Sequence, residues 1–420
     1  MGSSLSIEET EEIEGNKIDE EFKDEIFPKT GGINIDVAIK KENANIFFFG
    51  CWNNIDNKTI ISQIIDDINK KETDFGIING DNLYKTVNPE NTKEKKYNLS
   101  NIRKGFNIIK NYKKNIYLTL GNHELDNPKI DKNDDKFLTP EKAAEIEKAK
   151  CIILKKEKTE SKGTLLYMEQ NYYSITLTSQ NNIKIIFLDT NLCETNQCYV
   201  DEPVREMEKE KMFKWLDNIL VANDEKKPII IIGHSPLFYK KEVKEKKSSD
   251  VVLEKGKKKI LFTVNPTTLN IYEILQKYNF HIYYFASHIH NYQYIIDQNN
   301  GNNIHMIING TGGAKLDDLD LENDRDIIYD GKTYIFDKFN KNHGYSIITI
   351  TNGNNVSHTF FDITKVMLTG GYKANYNKIQ ETGIAMLLAT KPIIYESKII
   401  TNNYQTKYYK KYIKYKSKNL

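Results

Sequence analysis

The chain has 420 residues, 39% of them hydrophobic and 28% charged, enough for one large or two ordinary domains around a sizeable core. Its longest apolar runs, such as 229–232, are strand-sized, and its first twenty residues are acidic without an apolar stretch, so the sequence offers neither a transmembrane span nor a secretory signal. The net charge of +2 points to no particular partner, and the four cysteines (Cys51, Cys151, Cys193, Cys198) do not make a disulfide framework in a chain this size.

Charge is unevenly spread. Residues 1–43 read as an acidic arm, opening with a cluster of Glu and Asp, whereas residues 391–420 hold eight lysines against Glu396. The start, Met-Gly-Ser-Ser-Leu-Ser, fits the N-myristoylation pattern through Gly2 and Ser6. One acyl chain binds membrane only marginally, so the Lys/Tyr tail at 404–418 would have to supply the remaining attraction to an anionic surface. An intracellular protein is expected, with association with a membrane surface or packaging in a virion as further settings. Nucleic acid is the weaker partner for the tail, since spaced Tyr and Lys more often form a solvated or packed edge.

Along the chain, residues 46–49 read as a strand entering a Cys-Trp-Asn-Asn turn, and 59–69 has helical spacing through Ile60, Ile61, Ile64, Ile65 and Ile68. Residues 75–78 form a second strand ending at Gly80-Asp81, 101–111 a helix, and 116–120 a third strand ending at Gly121. This strand–turn–helix order predicts a parallel α/β sheet, whose ligands gather beyond the carboxyl ends of the strands. Paired strands follow at 172–178 and 183–188, then an amphipathic helix at 207–221 and a buried strand at 228–232 leading to Gly233-His234. The lysine-rich stretch 240–259 reads as an exposed loop, 269–278 as a helix, and 282–286, 305–308, 345–350 and 357–361 as strands. The main domain is expected to span 44–363, with 364–420 as a C-terminal extension carrying the basic tail.

Five blocks fall at strand ends: FFFGCWN (47–53), NGDNLY (79–84), GNHE (121–124), GHSP (233–236) and SHIHNYQ (287–293). Each carries side chains that bind cations. The Asp81 carboxylate can bridge two ions, one through each oxygen. The Tyr84 phenolate is a hard ligand, Asn122 offers an amide oxygen, and His234, His288 and His290 offer ring nitrogens. His288 and His290, two apart, point the same way along an extended segment. Four of the eight histidines sit in such strand-end contexts, which favours a metal reading over structural histidines.

In their order these blocks resemble the calcineurin-like metallophosphoesterases, and within them the purple, tartrate-resistant acid phosphatase branch. That branch carries G-D-W-G, G-D-N-x-Y, G-N-H-D/E, G-H-x-P and G-H-x-H-N where this chain has GCWN, GDNLY, GNHE, GHSP and SHIHN. The resemblance extends to FLDTNLC (187–193) and NGTGG (309–313). It implies an α/β fold, a four-layer α-β-β-α sandwich of two mixed sheets. It also implies iron paired with iron, zinc or manganese, and hydrolysis of phosphomonoesters. By position, the first metal would use the Cys51 site, Asp81, Tyr84 and His290. The second would use Asp81, Asn122, His234 and His288, with His123 in the outer-sphere catalytic place.

Two positions depart from the pattern. Ser287 replaces a glycine. Cys51 replaces an aspartate of the first metal, with Asn53 as a partial substitute where the wider superfamily often has histidine. A thiolate favours zinc or ferrous iron over ferric iron, whereas a protonated Cys51 would be a small buried hydrophobe. Loss or weakening of the first site, leaving one metal bound, is the favoured expectation over thiolate ligation. A phosphatase altered at its first metal and a non-catalytic scaffold of the same fold are therefore the two readings to separate.

Overall fold

The computed structural model describes residues 31–39, 41–52, 58–82, 84, 86–87, 95–96, 100–125, 166–168, 170–193, 202–223, 227–243, 259–299, 304–317, 326–363 and 395–396. Gly2, Asn53, Cys151, Cys198, the segment 131–150 and the Lys/Tyr tail lie outside these. In chain order the elements are β1 (Ile33–Val37), β2 (Asn43–Phe49), α1 (Lys58–Ile68), β3 (Phe75–Asn79), β4 (Thr86–Val87), β5 (Lys95–Lys96), α2 (Ser100–Ile109), β6 (Ile116–Thr119) and α3 (Asn122–Leu125). There follow β7 (Leu166–Tyr167), β8 (Tyr173–Leu177), β9 (Ile183–Leu188), α4 (Glu202–Val221), β10 (Ile229–Gly233), β11 (Phe238–Val243), β12 (Lys259–Val264), α5 (Leu269–Leu275) and β13 (Ile282–Ala286). The last are β14 (Tyr292–Asp297), β15 (Ile304–Asn309), β16 (Asp326–Tyr329), β17 (Lys332–Asn340), β18 (Gly344–Thr351), β19 (Asn355–Asp362) and β20 (Tyr395–Glu396).

Two mixed sheets dominate. One has nine strands in the order β1-β8-β9-β10-β13-β15-β14-β17-β16, the other seven in the order β20-β19-β18-β2-β3-β6-β7. The centre of each is parallel: β9, β10, β13 and β15 in the first, β2, β3 and β6 in the second. Central strands of such sheets are buried on both faces and so read as continuous apolar runs. Ile229–Gly233 and Phe75–Asn79 are buried throughout.

Side-chain alternation along these strands serves two cores. Ile46 and Phe48, with Ile230, Ile232 and Phe285, belong to one cluster, in which Phe48 meets Phe285 edge-on at 5.2 Å between ring centres. This cluster draws on both sheets and is the interior of the sandwich. Phe47 and Phe49, with Ile229 and Ile231, belong to the other, which also takes in Ile61, Ile64, Ile65 and Ile68 of α1 and Met212, Leu216 and Leu220 of α4. The periodic isoleucines of α1 thus bury one face against the second sheet, as their spacing predicts. The result is the expected layered α/β metallophosphoesterase fold. No helix among the described residues is long and apolar enough to cross a membrane.

The chain differs from the sequence expectation in several places, among them β14, β16 and β17, which the sequence reading did not single out as strands. Residues 33–37, read with the acidic arm, form β1, which pairs in parallel with β8 at the sheet edge; Ile33, Ile35 and Val37 pack on the core while Asn34 and Asp36 stay exposed. The ends of the lysine-rich stretch, read as a loop, form the antiparallel hairpin β11–β12. Lys240 is buried there because its stem lies along the molecule with Nζ 4.4 Å from the centre of the Phe336 ring. In the C-terminal extension, Tyr395 and Glu396 pair with Phe360 and Thr359 of β19.

Candidate metal centre

The five blocks meet where the parallel strands of both sheets end. β2 delivers Cys51, β3 delivers Asp81, β6 leads through Gly121 into α3 with Asn122 and His123, β10 delivers His234, and β13 delivers His288 and His290. Cys51, Asp81 and His288 adopt left-handed backbone, with φ of 53°, 62° and 60°. Outside glycine this conformation costs about 1–2 kcal/mol per residue, and such strain concentrates at functional sites.

Asp81 is fully buried, and its two oxygens face different neighbours. Oδ1 lies 3.2 Å from His234 Nε2 and accepts the His123 backbone N–H at 3.1 Å. Asn122 Oδ1 completes that group, 3.1 Å from His234 Nε2 and 3.0 Å from His288 Nδ1. Oδ2 faces the other way. It accepts the Cys51 thiol at 3.4 Å and the Tyr84 hydroxyl at 3.2 Å, and Tyr84 Oη lies 3.5 Å from His290 Nε2. Cys51 Sγ, an Asp81 oxygen and a His290 ring nitrogen all lie within 4.8 Å of one another. Asp81 therefore stands between two donor groups, an Asn/His pole and a Cys/Tyr/His pole.

The histidine tautomers are set from outside. His234 Nδ1 lies 2.9 Å from the Asn79 carbonyl and His290 Nδ1 lies 2.8 Å from the Lys315 carbonyl. With those nitrogens donating, each ring turns an Nε2 lone pair into the cleft, the arrangement a metal-binding histidine needs. At the Asn/His pole the atoms facing one another are then acceptors: a carboxylate oxygen, an amide oxygen and a ring nitrogen. Such crowding calls for positive charge. Without a cation, a proton supplies it: burial opposes charge on both groups, yet the His234 charge holds Asp81 well below the usual carboxylate range and the Asp81 charge lifts His234 to about 9. Burial and the neighbouring His234 charge push His288 down to about 4. At the other pole, burial and the Asp81 charge push the Cys51 thiol and the Tyr84 phenol well above their ordinary values. Both donor sets match the oxygen, nitrogen and sulfur chemistry of transition-metal sites.

Of the residues singled out by sequence, Cys51, Asp81, Tyr84, Asn122, His123, His234, His288 and His290 converge here. Asn53 and Gly2 lie outside the described residues. The buried Ser287 donates to the Asn309 carbonyl at 3.2 Å, closing the turn where the family pattern has glycine. Sequence reasoning missed the task of Glu124. Its buried carboxylate accepts the backbone N–H groups of Asp81 at 3.0 Å, Gly121 at 2.7 Å and Asn82, tying the β3 and β6 ends together. It also missed the Asn79 and Lys315 carbonyls, which carry no side-chain signal at all.

Residues 44–292 match the family model of the calcineurin-like phosphoesterases, and the chain belongs to that family. No curated protein matches it in sequence. Solved structures of similar fold include the purple acid phosphatase PPD1 from seeds of yellow lupin (Lupinus luteus), at 16% identity over 77% of this chain and 52% of that one, with a TM-score of 0.46. GAP50, the anchor in the inner membrane complex of Plasmodium, is 15% identical over 77% of this chain and 86% of that one, with a TM-score of 0.42. PhoD is 12% identical over 79% of this chain and 67% of that one, with a TM-score of 0.46. The match covers about half of the lupin phosphatase. The family implies a dinuclear metal site and phosphate ester substrates.

Proposed function

We propose that this chain is a metal-dependent phosphoesterase that hydrolyses phosphomonoesters at the cleft around Asp81. The observation that carries the reading is the division of one buried carboxylate between two donor groups, Oδ1 toward His234 and Oδ2 toward Cys51 and Tyr84. Asp81, Asn122, His234 and His288 would hold one cation; Asp81, Tyr84 and His290, with Cys51 and Asn53 as further candidates, would hold the other. Iron paired with iron, zinc or manganese is the combination the purple acid phosphatase resemblance supports. Such a pair clamps the attacking and leaving oxygens of a phosphate ester. His123 sits in α3 with its ring 4.6 Å from that of Tyr84. There its imidazole would hold the phosphate and hand a proton to the departing alkoxide.

The second reading, a scaffold without turnover, draws on the Cys51 thiol donating to Asp81 Oδ2, a proton standing where the pattern has a ligand to a cation. Lipidation at Gly2 and contact of the Lys/Tyr tail with an anionic membrane would suit that role, and intact-mass measurement tests the first of these. The two readings separate on one experiment: quantify bound metals and assay p-nitrophenyl phosphate with iron, zinc and manganese. Turnover abolished by His234→Ala and by Asp81→Asn supports the enzyme. Absence of turnover in the wild type, restored by Cys51→Asp, sinks it in favour of a site lost at the first metal.

A further inference from the structure

The departure at Cys51 changes what the first pole can hold. We infer that the Cys51/Asp81/Tyr84/His290 pole is a thiolate-bearing site for a zinc-class divalent cation rather than for a hard trivalent one. This rests on the metal-dependent reading above and specifies the ion at one of its two poles.

Three observations carry it. The first is spacing. A tetrahedral ion with a thiolate ~2.3 Å away and oxygen or nitrogen ligands ~2.0–2.2 Å away sets its ligand atoms roughly 3.3–3.6 Å apart. Here Cys51 Sγ to Asp81 Oδ2 is 3.4 Å, Tyr84 Oη to Asp81 Oδ2 is 3.2 Å, and Tyr84 Oη to His290 Nε2 is 3.5 Å. The sulfur, a carboxylate oxygen and a His290 nitrogen stay within 4.8 Å of one another. Three of the separations among these four atoms, 3.2–3.5 Å, are thus close to the ligand spacing of a zinc site.

The second is that His290 is aimed from outside the cluster. Its Nδ1 is held by the Lys315 carbonyl and its backbone N–H by the Asp317 carboxylate at 2.8 Å, so Nε2 faces the other three atoms without help from them. The third is enclosure. Cys51 is 0% exposed, and a Cβ built on Gly310 would already approach Sγ to 3.3 Å. A sulfur so enclosed faces the Asp81 carboxylate and has little access to bulk oxidant. Softness then decides the ion. Thiolate favours zinc, cobalt(II) or ferrous iron, whereas a carboxylate at the same corner suits ferric iron. As the cation enters, the S–H bond breaks, the sulfur–metal bond forms, and the thiol proton leaves to solvent.

Cobalt(II) tests this because a thiolate ligand gives it a near-ultraviolet charge-transfer band that nitrogen and oxygen ligands do not. The metal-free full chain is titrated with Co2+ while absorbance and bound metal are measured together. Two equivalents are expected, with the band growing alongside one of them and disappearing when Zn2+ displaces the cobalt. Cys51→Ser should abolish the band and weaken one equivalent at least tenfold. Cys51→Asp should bind two equivalents without the band, which covers the case in which the serine variant fails to fold. One equivalent of cobalt with visible d–d absorption but no charge-transfer band would overturn the inference and leave the metal-dependent reading standing. So would a band that survives Cys51→Ser, since it would belong to another cysteine. No binding of Co2+ or Zn2+ at all would remove both.

Discussion

Glu124 Oε2 accepts the backbone N–H of Asp81 at 3.0 Å and that of Gly121 at 2.7 Å. A single buried carboxylate thereby fixes the left-handed turn that carries Asp81 to the start of the helix that carries Asn122. Glu124→Gln would turn a donor toward one of three converging N–H groups and leave it buried without an acceptor. The expected cost is about 2–4 kcal/mol in urea unfolding, measured at unchanged m-value. On the proposed function the clamp also spaces two metal ligands, and Zn2+ affinity should then fall ~10–100-fold. Stability lost with Zn2+ affinity retained would show that Glu124 only braces the fold.

The same two turns touch through glycine. A Cβ on Gly121 would lie 2.3 Å from Asp81 Oδ1 and 2.4 Å from Asp81 N, and one on Gly80, whose φ is 72°, would lie 2.4 Å from Gly121 N. Gly121→Ala must push the Asp81 carboxylate off its line to His234. On the proposed function, phosphatase activity and bound metal should both be lost while a cooperative unfolding transition remains, weakened by about 1–3 kcal/mol. A variant with full metal content would show that the turn can yield without moving Asp81.

Much of this arrangement was legible because the candidate ligands sit at fixed offsets from Gly and from apolar strand runs, as in NGDNLY and GNHE. Those runs are continuous because β3 and β10 are buried on both faces, so they stand out against a lysine-rich background. Two of the elements that escaped notice are an edge strand and a hairpin strand with half-polar patterns. β1 alternates Ile and Val with Asn and Asp beside an acidic arm, and β11 carries Lys240, whose charge conceals a stem packed along Phe336. Glu124 stood in plain view within GNHE, but its partners are backbone amides, which sequence does not mark. Cys51 was legible as an anomaly. Its distances to Asp81 and to the Tyr84 and His290 side of the pole come only from folding.

Tyr345 joins the two ends of the domain's chain. Its hydroxyl donates to Asp67 Oδ2 at 2.6 Å, linking β18 to α1 across 278 residues of sequence, with both side chains buried. Tyr345→Phe keeps the ring and removes the donor from a buried carboxylate. It should destabilise the protein by about 1.5–3 kcal/mol in denaturant unfolding, as expected for a hydrogen bond to a charged group. Asp67→Asn retains an acceptor and should cost less. Equal losses from the two would mean that Asp67 acts through its charge rather than through this bond.

Acid should weaken the fold through His358. The residue is 1% exposed, its Nε2 lies 2.7 Å from the Tyr292 hydroxyl, and it packs edge-on against the rings of Tyr294 and Phe285. Burial, with the Lys338 charge nearby, pushes its pKa down to about 3 from an ordinary value of 6.5. Between those values the unfolded chain holds a proton that the folded one lacks, so folding is favoured less as pH drops. The contribution is fully present above pH ~6.5 and is lost progressively toward pH ~3, at up to about 1.4 kcal/mol per pH unit. His358→Gln cannot take up that proton. The variant should start less stable at pH 7, yet its stability should fall less steeply between pH 6 and pH 4, the slopes differing by up to about 1.4 kcal/mol per unit. Parallel pH profiles for the two proteins, read from urea midpoints, would show that His358 is already protonated in the fold.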